Sequence, residues 1–330
     1  MKILWLYQHM AGYNFDHHLH MSFAQVVNQY PGVELKAYGP EISNNYPSLS
    51  LLKHQHSITL SDIYKLFQFD VVIVNTKSRC FAYYNPRTKR AEGCWLPPDF
   101  ATWANTPKVM IEEDYHYEED DAWYKDMQFD LILHRHYSQS LRPHTVPCRF
   151  LPFSVDTDVF NPWRTQCQHK GLTLTLPSLR INKIAFVGND ADRAYIYRRT
   201  ATTKLIDQQL GVTYSGSKKV DGEYIQVLRQ YLGYTSCGST YHICAAKNLE
   251  IMASGGVLIT NKFKGIELLF PEDTYCSYGD DCSDIVTKVR HLLNDQAYAA
   301  DLVNKGLRLV RNKHSHNIRI KELLDIIGEL

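Results

Sequence analysis

The 330-residue sequence has no CxxC pair, no GxxxxGK[ST] loop and no GxGxxG fingerprint. Those absences exclude zinc ribbons, thioredoxin-like redox couples, P-loop nucleotide hydrolysis and the common dinucleotide-binding turn. The eight cysteines, at 80, 94, 148, 167, 237, 244, 276 and 282, are scattered, and Cys244 in YHICAA stands among apolar residues. A reduced, cytoplasmic setting suits that usage. No apolar run approaches the ~20 residues that cross a bilayer, and the N-terminus lacks the longer apolar core and cleavage site of a signal peptide. No integral membrane segment is expected. Charge of one sign is missing too: 36 Lys and Arg oppose 35 Asp and Glu, a net +1. There is no basic excess to give sequence-independent nucleic-acid affinity, although a local basic face is compatible with the balance. Internal repeats and low-complexity tracts are absent. His17, His18 and His20 in HHLH lack an i, i+4 pair, so no metal site is expected there.

The chain is long enough for two hydrophobic cores. Met1–Tyr7 reads as a strand, followed by a loop with Gly12 and a helix to about Gln29. Further strands are expected at Val33–Tyr38, Asp70–Asn75, Lys108–Glu112, Phe129–His134 and Arg149–Pro152, with a short helix at Asp62–Gln68. The polar, aromatic and proline-bearing run Thr76–Ala104 is long for a connector and suggests a surface or acceptor-side loop. Pro152, Pro162 and Pro177 punctuate an aperiodic boundary. Asn182–Gly188 then restarts the pattern as a strand ending in glycine, with helices expected at Tyr195–Gln209, Tyr224–Tyr231, Ser283–Asn294, Gln296–Arg311 and His316–Leu330. Strands alternating with helices imply open parallel sheets, whose ligands bind beyond the carboxyl ends of the strands.

Three stretches carry candidate chemistry. In Tyr241–Thr260, YHICAAKNLEIMASGGVLIT, a short amphipathic helix holding Glu250 stops at Gly255-Gly256 and runs into a buried strand. In VGNDADRAYIYRR, Gly188 ends a strand and is followed by Asn189 and by Arg193, Arg198 and Arg199 at a helix start. Glycine turn, helix N-terminus and guanidinium groups suit a diphosphate; a solvated helix face is the competing reading. In EEDYHYEEDD, Asp114 and His116 lie just past a strand, where a histidine flanked by carboxylates can hydrogen-bond a reacting hydroxyl or serve structure alone. The acidic tail Glu118–Asp121 reads as an exposed helix start rather than a metal clamp.

These motifs resemble the family 4 glycosyltransferases of GT-B fold, and more closely their spore-maturation-type subgroup. LPFSVDTDVFNP (Leu151–Pro162) is similar to the linker motif G-V-D-x-x-x-F-x-P, with Ser154 in place of glycine. NKIAFVGN resembles the strand that opens the donor domain, and KNLEIMASGGVLITNKFKGIELLF the donor-site helix and following loop. The resemblance implies an α/β GT-B fold: two Rossmann-like domains facing a central cleft, with the C-terminal helix crossing back to the first domain. The corresponding divisions are an acceptor domain at 1–155, a linker at 156–182, a donor domain at 183–312 and a terminal helix at 313–330. Glu250 matches the second acid of E-x7-E, which in the family holds the donor ribose, whereas the first acid is replaced by His242.

Transfer of a sugar from a nucleotide-diphosphate sugar, UDP- or GDP-linked, to a hydroxyl acceptor follows from that resemblance. Retention at the anomeric carbon and independence of metal are also implied, with no permanently bound cofactor. The donor side would comprise Gly12, Gly188, Asn189, Arg193, Arg198, Arg199, His242, Lys247, Asn248, Leu249 and Glu250, the catalytic pair His116 and Asp114, and the acceptor side His18 and Arg79. A glycan, lipid-linked glycan or small molecule is the expected acceptor. A hydroxymethylated DNA base is the first alternative, and a non-catalytic nucleotide- or glycan-binding protein on a degenerate scaffold, suggested by His242, is the second. The sequence does not set the oligomeric state.

Overall fold

A computed structural model of the protein describes residues 1–7, 22–40, 42–76, 82–85, 90–112, 121–163, 166–167, 172–173, 180–188, 195–215 and 221–330. The chain divides into two compact units, Met1–Pro152 with Ile320–Leu330, and Phe153–Arg319.

In the first unit the elements follow as β1 (Lys2–Leu6), α1 (Ser22–Asn28), β2 (Glu34–Tyr38), α2 (Ile42–Asn45), α3 (Leu60–Leu66), β3 (Val71–Thr76), β4 (Ala82–Asn85), β5 (Arg90–Cys94), β6 (Lys108–Glu112), α4 (Asp121–Asp126), β7 (Leu131–His134), α5 (Tyr137–Ser140) and β8 (Cys148–Phe150). The six-stranded sheet runs β2-β1-β3-β6-β7-β8, every pair parallel. Residues two apart point to the same face of a strand, so Ile3, Trp5, Val71, Ile73, Val109, Ile111, Leu131 and Leu133 build one core while Leu4, Leu6, Val72, Val74, Met110 and Ile132 build the other. Burial on both faces is why these strands read as continuous apolar runs rather than alternating ones. The long run after Asn75 contains structure that composition concealed: β4 and β5 pair antiparallel as a hairpin.

The second unit contains β9 (Gln166–Cys167), β10 (Leu172–Thr173), β11 (Ile181–Gly188), α6 (Ile196–Asp207), β12 (Gly211–Ser215), α7 (Asp221–Gln230), β13 (Tyr231–Thr235), α8 (Ala246–Ala253), β14 (Val257–Asn261), α9 (Ile266–Leu269), β15 (Cys276–Tyr278), α10 (Ile285–Asn294) and α11 (Gln296–Leu309). Its sheet is β12-β11-β13-β14-β15, again parallel. Strand order reverses between β11 and β13, the place where open α/β sheets leave a crevice for ligands.

A single helical turn of π type (Val310–His314) leads to α12 (His316–Ile327). Beyond Arg319 this helix belongs to the first unit, where Ile320, Leu323, Ile326 and Ile327 pack with Ile3, Trp5 and Phe23. Among the described residues, no helix is long and apolar enough to cross a membrane.

Candidate nucleotide site in the second unit

β11 delivers its carboxyl end to the strand-order reversal and stops at Gly188, whose φ of +133° is a conformation that side chains rarely adopt. A methyl group there would lie 2.5 Å from Lys247 Nζ. Glycine at this position therefore makes room for the lysine. Lys247 reaches back from the first turn of α8 and donates to the Val187 carbonyl, with its ammonium 5.7 Å from the Phe186 ring and 6.0 Å from that of Tyr224. From α6, Arg198 approaches the same Phe186 ring at 5.1 Å and stacks on Tyr195 at 3.7 Å. Two cations thus share one aromatic floor at the end of β11.

Glu250, one turn further along α8, is 2 % exposed. Its Oε2 accepts a 2.5 Å hydrogen bond from Tyr224 Oη on α7. Burial raises the Glu250 carboxyl above its ordinary value, opposed by the Tyr224 hydrogen bond and by the charge of Lys247. Burial likewise drives Lys247 down to about 7, helped by the nearby Arg198 charge and resisted by Glu250. Each group's charge partly offsets the burial that pushes the other toward its neutral form, and burial remains the larger effect for both.

A compact loop presents the start of α8. Ser239 and His242 take left-handed backbone angles, φ 56° and 55°, and the Ile243 N–H returns to the Gly238 carbonyl at 2.6 Å. A side chain on Gly238 would overlap Phe263. Asn261 Oδ1, at the end of β14, accepts from the Gly238 N–H at 2.8 Å, while its Nδ2 donates to Asp280 at 2.7 Å. Ala245 at the cap position offers no side-chain acceptor to the first turn of α8, so that turn's N–H groups depend on other partners. Asn248 is fully buried and engages Ser236 Oγ at 2.5 Å and Cys244 Sγ at 3.8 Å, pinning α8 to the end of β13.

Among the sequence candidates, the structure brings together Gly188, Arg198, Lys247 and Glu250. Leu249 faces the core and Asn248 serves the clip just described. His242 is exposed on the loop before α8, and Arg199 follows Arg198 on α6. Gly12, His18, Arg79, Asp114, His116, Asn189 and Arg193 lie outside the described residues. Sequence reasoning missed Phe186, one aromatic residue in the apolar part of β11, and Tyr224, one in a helix of mixed polar and apolar residues; only the fold shows that they border the cations.

Residues 183–325 match the family model described as glycosyl transferase-like. No curated protein matches the sequence. Solved structures are similar over nearly the whole chain. A glycosyltransferase from Rickettsia africae ESF-5 superposes with a TM-score of 0.65 at 11% identity, covering 99% of this chain and 98% of that one. HepE from Anabaena, in complex with UDP and glucose, gives 0.64 at 9% identity with 100% of both chains covered. An alpha-glucosyltransferase in complex with UDP-glucose and DNA containing an abasic site gives 0.63 at 10% identity and 99% coverage of each. The fold is therefore GT-B. Within that fold, residues 183–325 carry the glycosyl transferase-like domain.

Proposed function

We propose that the protein moves a sugar from a nucleotide-diphosphate sugar, UDP-linked in the first instance, to a hydroxyl on a glycan, lipid-linked glycan or small molecule in the cytoplasm. The observation that carries this reading is the convergence of Gly188, Arg198, Lys247 and Glu250 at the strand-order reversal of the second sheet. Lys247 and Arg198, with N–H groups of the first turn of α8, would bind the diphosphate; Glu250 would accept from the ribose hydroxyls. As the bond to the sugar breaks, negative charge grows on the departing diphosphate, and preorganised cations in a low-dielectric site stabilise it without a divalent ion. Tyr224 is a positioning residue that orients the Glu250 carboxylate.

Asp114 and His116 are proposed beside the reacting sugar, Gly12, Asn189 and Arg193 on the donor side, and His18 and Arg79 on the acceptor side. Retention of anomeric configuration completes the reading. The UDP- and UDP-glucose-bound similar structures support a UDP donor. A hydroxymethylated DNA base is the second reading, favoured by the similar alpha-glucosyltransferase in complex with DNA.

A screen of UDP-, GDP- and ADP-sugars that detects nucleoside diphosphate release tests the proposal. UDP-sugar turnover is expected, undiminished when magnesium and manganese are withheld and lost in Glu250→Ala. Nucleotide binding unchanged in Glu250→Ala would remove Glu250 from the donor site, and full turnover in a folded His116→Ala variant would remove His116 from catalysis. Binding without release of product for every donor and acceptor would favour a non-catalytic scaffold. Salt-sensitive binding to hydroxymethylated duplex would favour the DNA reading.

A further inference from the structure

Three soft donor groups converge at the edge of the first unit's sheet, remote in sequence from the nucleotide site. His134 closes β7, Cys148 opens the edge strand β8, and His144 lies in the connection between α5 and β8. One ligand-capable atom from each lies within 4.8 Å of the other two. The topology accounts for the meeting. Ile132 pairs with Cys148 and His134 with Phe150, so His134 is the diagonal neighbour of Cys148 on the same sheet face. The connection then folds His144 over His134, with ring centroids 4.7 Å apart and planes inclined by 29°. His134 is buried and its two companions are half-buried.

The surroundings favour ligation as well as proximity. His144 Nε2 lies 3.1 Å from the Gln139 carbonyl. Protonated at that nitrogen, the ring presents Nδ1 as its basic atom, the pattern in which a backbone carbonyl fixes the tautomer of a ligating histidine. The Cys148 thiol donates to the Ser140 carbonyl at 3.6 Å, a weak bond that places the sulfur beside the last turn of α5 and is given up when the thiol ligates as thiolate. Two imidazoles, one thiol and no carboxylate make a donor set unsuited to magnesium or calcium and suited to zinc.

We propose that His134, His144 and Cys148 form a site for a borderline transition-metal ion, zinc first, that staples the edge strand β8 to β7 and leaves a fourth position for water. Bonds of about 2.0–2.1 Å to nitrogen and about 2.3 Å to sulfur place tetrahedral ligand atoms roughly 3.5 Å apart. Binding therefore draws the three groups inward by about 1 Å, a movement the connection carrying His144 can supply. Cys148 binds as thiolate and its proton passes to solvent. The spacing, H-x9-H-x3-C, contains no CxxC pair, which is why cysteine spacing alone predicted no metal.

Chelator-stripped, full-length protein tests the site. After dialysis against zinc, one ion per chain should be retained and the thermal midpoint should rise. Cobalt(II) in place of zinc should give a thiolate-to-cobalt charge-transfer band. Cys148→Ser and His144→Gln should each abolish the band and weaken zinc binding at least about tenfold, while the metal-free far-ultraviolet circular dichroism stays that of the parent. If Cys148→Ser does not fold, zinc protection of Cys148 from alkylation in the parent protein supports the site in its place. No charge-transfer band, no protection, or equal zinc retention in both folded variants (an adventitious ion on surface histidines only) would overturn the proposal.

Discussion

Lys247 stands where burial and charge oppose each other. Its ammonium is enclosed by Val187, Phe186 and Tyr224, and burial with the adjacent Arg198 charge lowers its proton affinity to about 7. A bound diphosphate would restore the charge by supplying the missing anion. Binding of UDP-glucose, which has no ionisation of its own near neutrality, should therefore take up a proton and weaken as pH rises from about 7 to 8.5. Calorimetry in buffers of different ionisation enthalpy reads that uptake; heats independent of buffer would contradict it. Folding responds with a defined sign. Between about 7 and 10.5 the unfolded chain holds a proton that the folded Lys247 has released, so this residue makes stability rise with pH over that window. His314 behaves similarly at lower pH. Its Nε2–H donates to the Leu269 carbonyl at 3.0 Å and its Nδ1 accepts from Arg319 at 3.2 Å, which leaves no place for a second proton. Burial lowers it from 6.5 to about 4, so stability that is complete above 6.5 is lost as pH falls toward 4, to a limit of about 3 kcal/mol. His314→Gln, which can keep both hydrogen bonds, should flatten the fall in thermal midpoint between pH 7 and 5. An unchanged fall would assign the acid sensitivity to other groups.

The helix α8 shows what a sequence makes legible and why. Its glycine stop is a two-bond terminus: the Gly255 N–H meets the Met252 carbonyl and the Gly256 N–H the Ile251 carbonyl, each at 3.0 Å, with Gly255 at φ 73°. Gly255→Ala strains that φ and crowds Arg180 and Pro162, so urea denaturation should show a loss of about 1–2 kcal/mol; a neutral outcome would mean that the terminus can relax. The pattern GG followed by VLIT announced both the stop and the strand because glycine angles and apolar runs are local properties. Three other strands of the same sheet are not legible in this way. β12, GVTYS, and β13, YLGYT, mix glycine, aromatic and polar residues, and β15 is only CSY. Their assignment rests on neighbours: β12 and β13 flank β11, and β15 pairs with β14. The candidate site divides the same way. Gly188 and Glu250 were readable from turn and helix patterns, whereas the link between Tyr224 and Glu250 spans 26 residues and required tertiary structure.

For the whole molecule, chain continuity ties the two units twice, once between Pro152 and Phe153 and again between Arg319 and Ile320. The second crossing places the end of α12 in the first unit's core, where Ile320 and Leu323 are fully buried. Removing residues 320–330 should therefore lower the unfolding midpoint of the first unit by exposing Trp5 and Phe23, while nucleotide binding by residues 153–319 outlasts it on heating. Loss of both in a single transition would show that the units do not unfold separately. The proposed function gives Lys247, held beside the end of β11, the task of binding an anionic ligand. Lys247→Met leaves the buried Glu250 without its neighbouring cation, and removing one partner of a buried pair is destabilising, so affinity is read in the variant shown to be folded. Calorimetric titration of Lys247→Met with UDP, beside its thermal midpoint, separates the two roles. At least about a tenfold loss of affinity, near 1.4 kcal/mol, is expected in the folded variant, together with a lower midpoint. Parent-like UDP affinity in the folded variant would contradict a ligand-binding role for Lys247.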